Sequence, residues 1–141
     1  MKATIIQPAY FMGDNPDQKI AEFLMLELEK INGDTIAVLP EYSNAGGLSD
    51  AKKELKAISR AKEMLEKASA IAKSKKAIIA INVLEKRNGK IKNSTYLFNK
   101  QGDVAFIYDK IHLPPSEIDL GVSYGDGACV CELDGIRFGF L

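Results

Sequence analysis

The sequence predicts an α/β fold in which a mixed sheet packs against two long helices on at least one of its faces. Short apolar runs alternate with segments of helical periodicity in the first half of the chain, in the order strand, helix, strand, helix, strand. Asn-Gly and Asp-Gly turns between apolar runs follow in the second half. Because helices join the first strands, we expect those strands to be parallel, and we expect the later hairpin strands to be antiparallel.

The first three predicted elements form a βαβ unit. Residues 3–7 and 35–39 are short apolar runs that are typical of buried strands. Asn15 is a candidate N-cap, and Pro16 suits the first helical position, where a missing N–H costs nothing. The helix is expected to end at Asn32-Gly33. Apolar residues recur at helical spacing between these limits: Ile20, Leu24, Leu28 and Ile31.

A second, longer helix is predicted over residues 50–73, with Ser49 or Asp50 as its N-cap. Asn88-Gly89 is a strong hairpin signal, so the strands on either side of it should pair directly. The strands predicted in this region cover residues 77–85, 94–99 and 104–109.

The last part of the chain is predicted to be a long ordered loop followed by a hairpin. Residues 111–127 contain two prolines and three glycines, which indicate the loop. Asp134-Gly135 then joins two short strands at residues 128–133 and 136–141. The final strand becomes wholly apolar and is expected to enter a core, whereas most chain termini are polar and frayed. Because this strand would end inside a core, we expect a further segment of the fold to follow it.

Length and composition narrow the possible functions. The 141 residues allow one domain with a real core, and the apolar share of 46% is typical of globular proteins. A formal net charge of zero gives no case for a nucleic-acid partner, and we interpret the basic excess over residues 51–92 as a solvated helix face and a basic hairpin. No run approaches the ~20 apolar residues of a membrane span, and the N-terminus resembles a strand more than a signal peptide. The expected location is therefore cytoplasmic.

The cysteines and the histidine predict neither a metal site nor a disulfide. Cys129 and Cys131 are one residue apart and should share one face of a strand, where they are poorly placed to pair with each other. We expect both to be reduced, small core residues rather than nucleophiles. His112 is the only histidine, which falls short of a zinc set, so it is expected to be a satisfied structural residue.

Two residues lie where chemistry is expected. Glu41 directly follows the second strand, and open α/β sheets bind ligands beyond the carboxyl ends of their strands. Desolvation there would raise the pKa of Glu41 and make it a usable base, unless it is an ordinary strand-end or helix-capping glutamate. Lys110 follows the fifth strand and is either a surface lysine or a partly buried ammonium that needs an anionic partner. Glu41 could be that partner if the two strand ends meet.

Taken together, these motifs resemble the carbon–nitrogen hydrolase family, also called the nitrilase superfamily. "KATIIQPAYFMGD" is similar to the first strand of that family, and "AVLPEYSNAGG" to its Leu-Pro-Glu motif. "KNSTYLFNKQGDVAFIYDKIHL" is similar to its Asn-Ser/Thr and Tyr-x-Lys-x-His-Leu stretch. "SYGDGACVCELDGIRFGFL" resembles the hairpin that leads to the family's catalytic cysteine. The likeness covers nearly the whole chain in the correct order.

The resemblance implies roles for three residues. Glu41 would be the general base, Lys110 the catalytic lysine that stabilises an oxyanion, and Glu117 a residue that orients this lysine or the substrate. The family's nucleophilic cysteine would follow shortly after "GFL" and is absent from this chain. Cys129 and Cys131 precede the Asp134-Gly135 turn and do not match its position.

The resemblance also implies the architecture and the reaction. Residues 1–141 would be the N-terminal half of a four-layer α-β-β-α sandwich, a partial domain whose C-terminal part is absent. The implied activity is amidase-like cleavage of a small non-peptide C–N bond, in an amide or nitrile, through a thioester and without a cofactor. Family members commonly form homo-oligomers. We expect the chain alone to be inactive, and the alternative is a non-catalytic truncated fragment that acts only through association. A nucleotide-binding module is disfavoured, because "AGG" after Glu41 is a poor match to a phosphate-binding loop.

Overall fold

The central feature of the fold is a five-stranded mixed sheet. The computed structural model describes residues 1–10 and 13–141, so residues 11 and 12 of the opening motif lie outside it. The order in the sheet is β1-β2-β3-β4-β5; β1, β2 and β3 are parallel, whereas β4 is antiparallel to both β3 and β5. This confirms the predicted mixed sheet. Its strands are β1 (Lys2–Ile5), β2 (Thr35–Val38), β3 (Ile78–Arg87), β4 (Lys90–Phe98) and β5 (Val104–Asp109).

The first helix, α1 (Pro16–Glu29), begins at Pro16 as predicted. Asn15 occupies the N-cap position, but its side chain forms no capping hydrogen bond, so that part of the prediction is wrong. The reason is its left-handed backbone, with φ of 52°, because capping side chains need an extended backbone to reach the first free N–H groups. The carbonyl of Asn15 instead accepts from the N–H of Lys19.

The second long helix is broken, contrary to the prediction of one continuous element. Helix α2 (Ala51–Ala57), which the Asp50 side chain caps, is followed by a 3₁₀ turn at Ile58–Arg60 and then by helix α3 (Ala61–Lys75). The fully buried Asn44 donates its amide to the carbonyl of Ala57 at 2.9 Å. That carbonyl would otherwise accept the next helical N–H, so the contact favours a change of helix type at this position.

Apolar residues bury both faces of the sheet. On one face α1 and α3 pack against β3 and β4 through side chains that include Leu24, Leu28, Ile79 and Ile81. On the opposite face a hairpin, β6 (Cys129–Leu133) and β7 (Ile136–Phe140), packs against Ile78, Ala80 and Leu97. The result is three layers: helices, sheet and hairpin.

Among the described residues, no helix combines the length and the apolar character that a membrane crossing requires.

Both predicted hairpin turns are confirmed. Asn88 and Gly89 have φ values of 51° and 78°, and Asp134 and Gly135 have 53° and 74°, which is the backbone of the two-residue hairpin turn that favours these pairs. The last strand is less buried than predicted: Ile136, Phe138 and Phe140 are half-buried, and Leu141 is 90% exposed.

The two cysteines are free thiols, as predicted, and both are half-buried rather than fully in the core. Cys131 packs against the apolar cluster around Ile78 on the hairpin face of the sheet. Burial raises the pKa of its thiol, which makes Cys131 a poor nucleophile.

The predicted long loop at residues 111–127 contains a short helix, α4 (Pro115–Asp119). Pro115 provides the first helical position, and the carbonyl of Pro114 accepts from the N–H groups of Glu117 and Ile118. His112 lies exposed in the same segment, so the expectation of a satisfied structural histidine is wrong. The segment matters because α4 carries Glu117.

Candidate active site

Glu41 is held in place by the sharp turn after β2. The next residue, Tyr42, has a left-handed backbone with φ of 57°, which is uncommon for a residue with a large side chain. Two bonds to Asn82 of β3 hold this conformation: the Tyr42 N–H donates to the side-chain oxygen at 2.7 Å, and the Ser43 N–H donates to the backbone carbonyl at 3.0 Å. The turn therefore fixes the backbone beside Glu41 against the middle of the sheet.

Lys110 is fixed at the end of β5 by two hydrogen bonds, one from its backbone N–H and one to its backbone carbonyl. Its N–H donates to the carbonyl of Asn93 in β4, and its own carbonyl accepts from the N–H of Gly125, both at 2.9 Å. Gly125 approaches so closely that a Cβ there would overlap the carbonyl oxygen of Asp109. The close approach of two backbone segments thus requires glycine at position 125.

Three charged side chains meet at this rim of the sheet. Nζ of Lys110 lies 2.7 Å from Oε1 of Glu41 and 3.0 Å from Oε1 of Glu117. The Asn93 amide donates to the same two oxygens, at 2.7 Å and 3.2 Å. Asn82 in turn donates to the side-chain oxygen of Asn93 at 2.7 Å, which fixes the orientation of the bridging amide.

These contacts set the charge state of the pair. Burial raises the pKa of Glu41, but the hydrogen bonds from Lys110 and Asn93 and the charge of Lys110 outweigh it, so the net pKa lies below the ordinary value. The predicted upward shift of this pKa is therefore wrong. Burial lowers the pKa of Lys110, and its bonds to Glu41 and Glu117 more than reverse this, so the net shift is upward. Both groups are charged at neutral pH.

A cavity of about 540 Å³ opens beside Glu41 and Lys110. Its walls come from the ends of β2 and β5, from interior residues of β3 and β4, and from most of β7 together with Leu141. The described lining includes neither Cys129 nor Cys131. The arrangement offers a carboxylate, an ammonium and an amide beside a partly apolar space, without a thiol from this chain.

The sequence predicted three of the residues at this site, Glu41, Lys110 and Glu117, and missed the two asparagines that connect them. Asn82 is 9% exposed and Asn93 is 1% exposed. Asn82 stands in the otherwise apolar run "AIIAINVL", and a polar residue inside a buried strand needs partners. This polar residue within an apolar run was the sequence signal that could have identified Asn82.

Comparisons with known proteins agree with this fold. The sequence pattern of the carbon–nitrogen hydrolase family matches residues 5–141. A hydrolase of Schizosaccharomyces pombe is 26% identical over an alignment of 145 positions. The alignment covers 96% of this chain and 45% of the yeast protein. The chain therefore belongs to the carbon–nitrogen hydrolase family.

Solved structures show the same fold. A carbon–nitrogen hydrolase from Helicobacter pylori superposes with a TM-score of 0.67 at 26% identity, over 88% of this chain and 44% of that protein. An amidase of Nesterenkonia from the nitrilase superfamily gives a TM-score of 0.74 at 12% identity, over 97% of this chain and 53% of that protein. The chain spans about half the length of these relatives.

Proposed function

We propose that this chain supplies the acid–base part of an amidase-like active site that cleaves a small carboxamide or nitrile. The observation that carries the proposal is the contact of Lys110 with both Glu41 and Glu117 beside the cavity. Membership of the family supports thiol chemistry, since in one structure of the Nesterenkonia amidase acrylamide has added to an active-site cysteine. Because neither Cys129 nor Cys131 lines the cavity, the thiol would come from another polypeptide segment.

The proposed reaction of an amide proceeds in two halves. The thiol attacks the carbonyl carbon, its proton passes to Glu41, and the tetrahedral oxyanion is stabilised by the ammonium of Lys110. Glu41 then protonates the leaving nitrogen as the C–N bond breaks, which leaves a thioester. Water attacks the thioester while Glu41 takes a proton from it, and the carboxylic acid and the thiol are released. Glu117 and Asn93 hold Lys110 and Glu41 in position throughout.

The charge states of the two residues suit these steps. Glu41 is ionised at neutral pH and is ready to accept a proton, while Lys110 keeps the positive charge that an oxyanion requires. The pair is only partly shielded, because the Glu41 side chain is 53% exposed and that of Lys110 is 23% exposed. A covering segment over this rim would strengthen both interactions by removing water.

The test is amide hydrolysis by the complete product of the gene. Released ammonia is measured with a panel of small amides and nitriles. We expect Glu41→Gln and Lys110→Met each to lower kcat/KM by at least about 100-fold. Glu66→Gln and Lys62→Met, which remove exposed charges from α3, serve as matched controls and should leave it unchanged. Equal rates for the wild type and the Glu41 and Lys110 variants would contradict the proposal.

A second candidate function, association without catalysis, is favoured by exposed apolar groups on β1 and the hairpin. Ile5 is 77% exposed and Val130 is 68% exposed. We propose that these surfaces are covered by another polypeptide segment. The chain alone should then turn over no amide and should self-associate, as light scattering would show. Hydrolysis by the chain alone above the background rate would contradict this candidate.

A further inference from the structure

Asn82 is a polar residue in the middle of an apolar strand, close to the candidate site. Every other residue of β3 from Ile78 to Leu84 is apolar. Asn82 is 9% exposed and lines the cavity beside Glu41 and Lys110. A polar side chain in such a position is costly unless hydrogen bonds compensate for its burial. Its hydrogen-bond partners therefore indicate its role.

The Asn82 side chain uses all of its donor capacity within the protein. Its Oδ1 accepts from the N–H of Tyr42 at 2.7 Å. Its Nδ2 donates to Oδ1 of Asn93 at 2.7 Å and to Oγ1 of Thr95 at 3.1 Å. An amide nitrogen carries two hydrogens, and both are taken. Asn82 has no donor left for a substrate in the cavity, so its effect on a reaction there passes through its partners.

The N–H of Tyr42 fixes the direction of this chain of hydrogen bonds. A backbone N–H can only donate, so it requires the oxygen of the Asn82 amide to face it. The Asn82 nitrogen then faces Asn93, which accepts with its oxygen. The Asn93 nitrogen is thereby directed to Oε1 of Glu41 at 2.7 Å and to Oε1 of Glu117 at 3.2 Å. The direction set by one backbone group thus reaches both carboxylates through two asparagines.

The opposite orientation of the Asn93 amide would be unfavourable for the site. Its oxygen would face Oε1 of Glu41 and Oε1 of Glu117, so that two hydrogen bonds to charged groups would be replaced by repulsion. Lys110 would then be the remaining donor to these two oxygens among the described residues. The position and the charge of Glu41 therefore depend on which way Asn93 is turned.

We propose that Asn82 is a positioning residue for the general base. It transmits the direction set by the Tyr42 N–H to Asn93, and it thereby holds Glu41 in the orientation in which it contacts Lys110. This assignment rests on the proposed function. It adds to the site a residue that contacts neither the thiol nor the reacting carbonyl and acts through the orientation of Asn93.

The replacement of Asn82 by a neutral residue changes no charge near Glu41. The charged and titratable residues that contact Glu41 or line a cavity with it are Tyr10, Tyr42, Glu54, Tyr108, Lys110, Glu117 and Arg137. None of their side chains is hydrogen-bonded to Asn82 in the part of the chain that the structure describes. A change in the pKa of Glu41 on such a replacement would therefore report altered hydrogen bonds.

Asn82→Leu tests the proposal, because leucine is similar in size and forms no side-chain hydrogen bond. We expect the pKa of Glu41, measured by NMR titration, to rise by at least about 0.5, because Asn93 loses its fixed orientation. The control is Ile81→Val, which removes a buried methyl group from the adjacent position, on the helix face of β3. It should lower the urea unfolding midpoint and leave this pKa unchanged. A Glu41 pKa that is equal in the wild type and Asn82→Leu would overturn the assignment.

Asn82→Asp separates the two halves of the Asn82 amide. The carboxylate still accepts from the N–H of Tyr42 but cannot donate to Asn93. The Asn93 nitrogen should then turn toward position 82, and the pKa of Glu41 should rise more than in Asn82→Leu, because an oxygen of Asn93 and a new negative charge face it. A far-ultraviolet circular dichroism spectrum verifies that the variants are folded. A Glu41 pKa in Asn82→Asp equal to that of the wild type would overturn the role of Asn93 as the link.

The amide panel, applied to the complete product of the gene, separates failure of this inference from failure of the proposed function. Asn82→Leu should lower kcat by at least about tenfold and leave KM within about twofold, because the base is misaligned and no substrate contact is lost. A Glu41 pKa that depends on Asn82, without hydrolysis of any amide by the wild type, would support the positioning of Glu41 and reject the hydrolase proposal. Hydrolysis with the same kcat in the wild type and Asn82→Leu would support the hydrolase and reject the positioning role.

Discussion

Nζ of Lys110 lies 2.7 Å from Oε1 of Glu41, although 69 positions separate the two residues in the sequence and two strands separate them in the sheet. Neighbouring strands lie about 4.8 Å apart, so the ends of β2 and β5 are roughly 14 Å apart. The turn at Tyr42 and the long side chain of Lys110 close this gap. Asn93, from β4, which is one of the two strands between them, donates to the same oxygen of Glu41 and holds the two ends together.

Gly125 is predicted to be essential for the position of Lys110. In Gly125→Ala the new methyl group would overlap the carbonyl of Asp109, which should displace the backbone at Lys110 and lower the free energy of unfolding by about 1–3 kcal/mol. Gly127→Ala is the matched control, because a Cβ at that position meets no atom within 4 Å. Urea unfolding measures both variants. Equal unfolding midpoints for the two would show that the close approach at Gly125 is not a constraint.

A network around Arg87 should stabilise the strand that carries Lys110. Arg87 donates to both carboxylate oxygens of Asp109, at 2.5 Å and 2.6 Å, and to Glu85 at 2.7 Å. Arg87→Met would leave the largely buried Glu85 without its cation and Asp109 with only Lys92, whose Nζ lies 3.4 Å from Oδ2, and we expect a loss of about 2–3 kcal/mol in the free energy of unfolding. The exposed Lys86→Met in the same strand is the control. Thermal or urea unfolding that shows equal stability for the two variants would refute the role of the network.

Asn44 is predicted to be a major determinant of the fold around Glu41. It is fully buried, donates to the carbonyls of Ala57 and Leu84, and accepts from the N–H of Leu84. Asn44→Ala removes three hydrogen bonds and leaves buried backbone groups without partners, so unfolding free energy should fall by about 3 kcal/mol. The exposed Asn32→Ala is the control and should change it by less than about 0.5 kcal/mol. A small loss in Asn44→Ala would contradict this account.

The local sequence was sufficient for the sheet and drew attention to Glu41 and Lys110 at strand ends, whereas Glu117 came only from the family resemblance. Asn88-Gly89 specifies its own hairpin, and Glu41 directly follows an apolar strand. The break at Ile58–Arg60 has no such signal, because it depends on a side chain from a turn 13 residues earlier. The lowered pKa of Glu41 likewise depends on partners 52 and 69 positions away, so local sequence indicated only the effect of burial.

The ion pair should make stability depend on pH at both ends of the scale. The pKa of Glu41 is lowered from 4.5, so its contribution is present above about pH 4.5 and is lost as the pH falls through the folded value. The pKa of Lys110 is raised from 10.5, so its contribution is present below about pH 10.5 and is lost as the pH rises through the folded value. The wild type should therefore exceed Lys110→Met in stability at pH 7, and the difference should shrink at pH 3. A difference that is constant with pH would exclude an electrostatic origin.

The pKa of the Glu41 carboxyl group, measured by NMR titration in the wild type and in Lys110→Met, tests the pairing of these two residues most directly. We predict a value below the ordinary 4.5 in the wild type and a clearly higher value in Lys110→Met, where burial acts without the ammonium. Lys62→Met, which removes an exposed charge from α3, should leave the value unchanged. An identical pKa of Glu41 in the wild type and Lys110→Met would show that the two residues do not form the coupled pair on which the proposed chemistry depends.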